Sequence, residues 1–344
     1  MPVKKLPAVL VFSAMLLLLI FGDTAAHAVS DSLALCVTRV IPPLFPYMVL
    51  SSVILSMDLA APLYRRIPTE KWFGLPRSAA PVLLTGFLCG FPVGASGAAQ
   101  LVRDGKLSRS DAAVLCAVSS AASPAFVIGS LGSQWTREYG LILWLTQVAV
   151  SLFLAAFVFR GSCVSPSVQT ASEKAVPSAV QSLCTAVTSA AQSCIAVTAF
   201  VTFFGTAAAL LSVLIPPLTP LFSAVLEFSR GASFGAQTGG LYGIILTGAS
   251  VGFAGVSVLM QTASFLLPQK IPMKPVISAK LVTMTSSAAV SAVYYLIRRP
   301  GVSGIPASGS VFMPASALFV IAVLGLITAA GKTASRLLKH TEIR

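Results

Sequence analysis

The chain has 344 residues, 56% of them hydrophobic and only 10% charged, with a mean hydropathy of +0.89. A soluble domain carries about 25% charge, so this chain lacks the polar surface to cover itself in water, and secreted, cytosolic, disordered and fibrous classes are excluded. The 23 Lys and Arg against 10 Asp and Glu leave a net charge of +13, and those cations sit in short loops between apolar runs, the positive-inside pattern of a membrane protein.

The alternating ten-residue strands of an outer-membrane barrel are absent. The expected fold class is therefore all-α integral membrane, a polytopic helical bundle. The basic excess reads as topology, with the lipid bilayer as partner and no nucleic acid.

Apolar stretches of about 20 residues span a bilayer. Lys4-Lys5, the apolar run Leu6 to Phe21 and Ala26-His27-Ala28 fit a first transmembrane helix over 6–22, or a signal-like segment with an A-x-A site. The helix is the preferred reading, because the rest of the chain needs no cleaved signal. A second helix is predicted over 33–60, with Pro42, Pro43 and Pro46 in its first half. A basic loop with Arg65, Arg66, Lys71 and Arg77 follows. Segment 79–100 is apolar but interrupted by Gly86, Gly90, Pro92, Gly94 and Gly97, and a second basic loop carries Arg103, Lys106 and Arg109. Helices are predicted at 111–132 and 140–159, then a polar linker over 160–180. Beyond it come apolar runs at 182–215 and 241–267, separated by Pro216-Pro217, by Glu227 with Arg230 and by the glycine-rich stretch 231–240. Lys270, Lys274 and Lys280 flank a helix at 276–297, and a last span covers 311–330.

One pattern recurs. Leu84-Thr85-Gly86 with Gly90-Phe91 returns as Leu246-Thr247-Gly248 with Gly252-Phe253, offset by 162 residues at all five positions. The chain then divides as 1–30, a first span; 31–160, a first repeat; 161–180, a linker; 181–300, a second repeat; and 301–344, a last span with a basic tail. Repeats of this kind mark transporter folds, whose solute site lies between the repeats near the bilayer midplane.

Lipid tolerates no exposed unpaired backbone, so a broken helix belongs where it is buried in protein or lines a wet cavity. Segment 79–100 lies between two basic loops, is long enough for two half-helices and is too short for two crossings. A re-entrant hairpin fits it, with Gly90, Phe91, Pro92, Gly94 and Ser96 at or beside the tip. The second copy places Gly252, Phe253, Gly255, Ser257 and Gln261 in a broken or re-entrant helix. Ser119, Ser120 and Ser123 precede Pro124, and Thr285 sits 162 residues after Ser123, so both clusters are candidates to cap freed carbonyls or meet a polar solute. Glu227 is an acid inside an apolar region. Its first reading is an ion pair with Arg230 on one helical face, its second a solute or coupling-ion site.

Six cysteines and two histidines are scattered without ligand spacing, and no Ser-His, Cys-His or paired-carboxylate constellation occurs in the spans. No metal, cofactor or enzymatic activity is expected.

Three stretches resemble a known family. Pro42-Pro43-Leu44-Phe45-Pro46-Tyr47, Gly90-Phe91-Pro92-Val93-Gly94-Ala95 and Gly252-Phe253-Ala254-Gly255-Val256-Ser257-Val258 with Gln261 are similar to motifs of the sporulation integral membrane protein family of the YlbJ type. Ser123-Pro124-Ala125-Phe126, Leu226-Glu227 with Gly231, and Lys274-Pro275 with Ala279-Lys280-Leu281 extend the resemblance over about residues 5 to 300. Ala254 and Leu259 depart from its pattern, standing where a Gly and a His are expected. The resemblance implies a bacterial inner-membrane location, a nucleoside-recognition (Gate) domain, a distant relation to transporters in which two hairpins and two broken helices enclose the solute, and a role in spore formation. The functional expectation is a transporter or permease-like protein for a small polar solute. The alternative is a non-transporting component of a sporulation or envelope complex. The oligomeric state is left open.

Overall fold

The structure, a computed structural model, describes residues 5–57, 59, 69–159 and 178–299. The expected span at 311–330, most of the linker and the loop at Arg65 and Arg66 lie outside them. Among the described residues the regular structure is helical throughout. Four helices are long and apolar enough to cross a membrane, five if one bent pair is counted as a span.

Helix α1 (Lys5–Ile20) and α2 (Gly22–Leu35) supply that pair, Val11–Ile20 with Gly22–Val40, bent by 97°. A π-helical turn, Cys36–Val40, leads into α3 (Ile41–Ser56), whose Pro42 and Pro43 occupy the first turn, where no N–H partner is lost. After α4 (Thr69–Phe73) come α5 (Ala80–Cys89) and α6 (Val93–Arg103). Helix α7 (Arg109–Ser119) starts on Ser108, whose hydroxyl accepts from the Asp111 N–H. It unwinds over Ser120–Ser123 before the π-helical Ala125–Leu131. Helix α8 (Arg137–Phe153) is capped by Thr136 and continues to Val158. The second part holds α9 (Ala179–Leu214), α10 (Thr219–Leu226), α11 (Phe228–Thr238), α12 (Gly240–Phe253), α13 (Gly255–Leu266) and α14 (Lys274–Arg298).

The chain folds back on itself at two helix breaks. At the first, Gly90 has φ +78°, and a Cβ on Gly97 would lie 3.0 Å from the Val82 methyls. These residues are 15 apart, and a straight helix would separate them by about 22 Å, so α6 returns along α5. At the second, a Cβ on Gly231 would lie 2.5 Å from Ala224 Cα, against about 10 Å in a straight helix. Helix α11 therefore returns along α10, about a turn at Glu227. A tight turn at Gly239-Gly240, both at positive φ, then sends α12 back against α11.

The segment at 241–267 differs from one of its two expectations. It does not fold back. Helices α12 and α13 form one 30-residue span, Gly240–Gln269, interrupted at Ala254. Helix α12 lies antiparallel to α14, since Gly248 packs on Ser287 and Ser291 while Gly252 packs on Thr283 and Met284. Helix α7 instead runs parallel to α5, with Gly86 on Ser119 and Gly90 on Ser123. The five shared letters at offset 162 thus sit in two differently folded segments.

One apolar cluster joins α5, α6, α7, α13 and α14 around Leu115, Leu266 and Val276. A second joins α3 to α9 around Met48 and Val197, and a third gathers Tyr139, Ile244 and Tyr294 from α8, α12 and α14. Large apolar side chains also point outward, among them Leu19, Phe157, Ile195 and Phe203. In water such surface would drive association; in a bilayer it faces lipid.

Candidate functional site

Both fold-backs point their tips at one place. Gly90 of the α5–α6 tip is pressed against Ser123, where α7 is unwound; a Cβ there would lie 2.5 Å from the Ser123 nitrogen. Gly255, at the α12–α13 interruption, abuts the α10–α11 tip, with Phe228 N 3.0 Å and Leu226 O 3.2 Å from its would-be Cβ. Each tip therefore packs on the break of the helix that follows it. Phe91 and Phe228, one from each tip, meet edge to face at 5.7 Å between ring centroids, and Phe126 adds a third ring 5.1 Å from Phe228.

A cavity of about 60 Å³ opens among these breaks, large enough to hold water. Cys89 and Phe91 line it from the first tip, Ser123 and Phe126 from the α7 break, Glu227, Phe228 and Ser229 from the second tip, and Val258 and Gln261 from α13. Arg39, Leu44 and Tyr47 close it from the α2–α3 junction, and Val197 and Val201 from α9.

Glu227 is the acid of this cavity, and it is 1% exposed. It stands in extended backbone at the break and caps α11. One carboxylate oxygen, Oε2, accepts from the Arg230 N–H at 3.0 Å and from the Ser229 hydroxyl. The other, Oε1, has no hydrogen-bond partner among the described residues. The expected Glu227–Arg230 ion pair is thus a backbone cap. The Arg230 guanidinium reaches away to the Ala28 carbonyl, 3.5 Å, because the break turns the two side chains apart. Gln261 donates to the buried Ser257 hydroxyl at 3.2 Å.

The other predicted site residues separate by position. Pro92 precedes α6 at the first tip, and Gly94 packs on Ser119. Ser120 is buried where α7 unwinds, its hydroxyl turned to the Cys116 carbonyl. Gly252 lies against the Thr283 carbonyl, and Phe253 packs on the first apolar cluster. Ser96 faces a different cavity, shared with Gln100, Ser51 and Ser193. Thr285 does not belong to the site: it is exposed, and its hydroxyl bonds back to the Leu281 and Val282 carbonyls of its own helix.

Two important residues were not singled out from sequence. Lys280, in sequence one of three lysines flanking a helix, is 2% exposed inside α14. Its ammonium donates to the Ser120 carbonyl at 2.5 Å and lies 4.2 Å over the Phe91 ring. It therefore satisfies the carbonyl end of broken α7, where a cation also meets the negative end of the helix dipole. Gln147 of α8 accepts from the Ala122 N–H, freed by the same break, at 3.0 Å.

A stronger repeat than the expected one also runs through the site. Phe91-Pro-Val-Gly-Ala-Ser-Gly-Ala-Ala-Gln100 and Phe228-Ser-Arg-Gly-Ala-Ser-Phe-Gly-Ala-Gln237 agree at six of ten positions, offset by 137 residues. The same offset relates the first residues of α8 and α14, Arg137 and Lys274. An apolar groove of about 790 Å³ lies apart from the site, between α1, α2 and α9, lined by Leu17, Leu33, Ile195 and Phe203. Compared with protein-family models, curated proteins and solved structures, the chain matches none of them.

Proposed function

We propose that this is a transporter- or permease-like protein of the bacterial cell membrane that binds a small polar solute where its two hairpin tips meet. In this reading α5–α6 and α10–α11 are re-entrant hairpins, α7 and α12–α13 are broken helices, and the chain comprises two related halves. The equivalence of residues 91–100 with 228–237 supports the halves. The two hairpins and two broken helices match what the resemblance to Gate-domain proteins implies, and spore formation is the process that resemblance suggests.

The observation that carries the reading is the convergence of both tips and both breaks on one cavity, with an unpartnered carboxylate oxygen of Glu227 buried there. A buried acid in a membrane protein is costly unless something compensates it, and a solute donor is the natural partner for that oxygen. Unwound backbone at the same depth supplies further donors and acceptors.

The test is thermal stability of the purified protein against a panel of nucleosides, sugars and amino acids. At least one solute should raise the unfolding midpoint of the native protein and fail to raise that of Glu227→Gln. A panel without effect, or an equal effect on the variant, overturns the reading.

A further inference from the structure

Three cavities follow one another along α9. Ser189 and Ser193 line the first, Val197 and Val201 the central one, and Ala209 and Ser212 the third. Ser189 and Ser212 are 23 residues apart, or about 35 Å of helix, against about 30 Å of hydrocarbon. Helix α3 follows the same order in reverse, with Ser51 and Ser52 at the first cavity and Leu44 and Tyr47 at the centre. Ser229 lines both the central and the third cavity.

The two flanking cavities are built from equivalent residues. Ser96 and Gln100 of the first hairpin face the first cavity, and Ser233 and Gln237, their counterparts at offset 137, face the third. The arms of the first hairpin end at Arg77 and Arg103, whereas those of the second end at Pro216–Thr219 and Thr238-Gly239, without a charge. By the positive-inside rule the first cavity lies toward the cytoplasm and the third away from it. The hydroxyls of Ser51, Ser193 and Ser212 bond back to carbonyls of their own helices; the other hydroxyl and amide side chains there, costly at membrane depth unless they meet water or partners, share about 40 and 290 Å³ of space.

We propose that the three cavities form one polar path through the bundle, with the central site reached from the Ser233–Gln237 chamber on one side and from the Ser96–Gln100 chamber on the other. The proposal rests on the central cavity being the solute site. The inner passage is closed by the buried apolar contacts of Met48, Cys89 and Val93, the outer by Glu227 and Ser229. No ionisable side chain lines the inner chamber, while Arg39 and Glu227 line the centre and Arg230, its guanidinium drawn to the Ala28 carbonyl, lines the outer chamber. The path therefore suits a hydrogen-bonding solute without net charge, since an ion would meet no counter-charge in the inner chamber.

The test is thiol labelling by the membrane-impermeant cation MTSET, with the native cysteines replaced by alanine. Ser96→Cys and Ser193→Cys should lose their free thiol only in inside-out vesicles, and Ser233→Cys and Gln237→Cys only in right-side-out vesicles. Ile195→Cys, facing lipid, should react in neither. Hydroxyl-radical labelling of the native protein provides a second readout free of substitutions: Phe234 in the outer chamber and Leu55 in the inner should be modified more than lipid-facing Phe203. Reaction of both chambers from the same face, or of neither, together with no excess labelling at Phe234 and Leu55, overturns the path. Labelling needs only water, so a failed solute screen would refute the central site without touching this result.

Discussion

Phe91 and Phe228 meet edge to face, 5.7 Å between ring centroids, although 137 residues separate them in the chain. Each is the leading residue of the same ten-residue pattern, and each stands at the tip of a fold-back. The contact ties the two hairpins together directly over the cavity. An edge-to-face aromatic pair couples by about 0.5–1.5 kcal/mol beyond its area. A double-mutant cycle with Phe91→Ala and Phe228→Ala, read by unfolding in detergent, should return a coupling of that size. Strict additivity would mean the tips do not support each other.

Lys280 should matter more to stability than any lysine at the helix ends. Lys280→Met leaves the Ser120 carbonyl without its donor, a loss of about 1–3 kcal/mol. Lys274 is exposed at the start of the same helix, and Lys274→Met should stay within about 0.5 kcal/mol of the native protein. Equal effects in equilibrium unfolding would show that the Lys280–Ser120 contact holds nothing together.

Glycine substitutions should divide sharply by location. A Cβ on Gly86 or Gly94 would lie 2.4 Å from Ser119 oxygens, and overpacking of this kind costs about 1–3 kcal/mol or more. Gly129 has nothing within 4 Å of its would-be Cβ. Gly86→Ala and Gly94→Ala should therefore lower the unfolding midpoint, and Gly129→Ala should leave it nearly unchanged.

These contrasts also show what was legible in the sequence. Hydropathy located the long helices, because bilayer thickness sets their length. The turn at Gly90–Pro92 was legible from glycine and proline crowded between two basic loops. The second fold-back, at Glu227, is not legible in the five-letter match at offset 162, which points to Gly252 instead. That match consists of small and apolar residues, common throughout such a chain. The ten-residue match at offset 137 carries Phe, Ser and Gln at fixed spacing and was the better signal. Offset 162 also points to Thr285, which α14 turns outward. Lys280 looked like one more flanking cation, since its burial comes from α7 and the first hairpin, far away in sequence.

Glu227 separates the requirements of folding from those of binding. Glu227→Gln keeps an oxygen that accepts from the Arg230 N–H, so the α11 cap survives. Glu227→Ala removes it, at about 1 kcal/mol. Unfolding should thus be close to native in the first variant and shifted in the second, while solute-induced stabilisation is lost in both. Retained stabilisation in Glu227→Gln would remove the carboxylate from the binding account.

The most direct measurement is a structure of the full-length protein in lipid nanodiscs, determined with the most stabilising solute of the panel. Density for the solute is expected between Phe91, Ser123, Glu227 and Gln261, with a donor of the solute on the Glu227 oxygen that lacks a partner among the described residues. Solute density confined to the apolar groove between Leu17 and Ile195, with the central cavity empty, would contradict it.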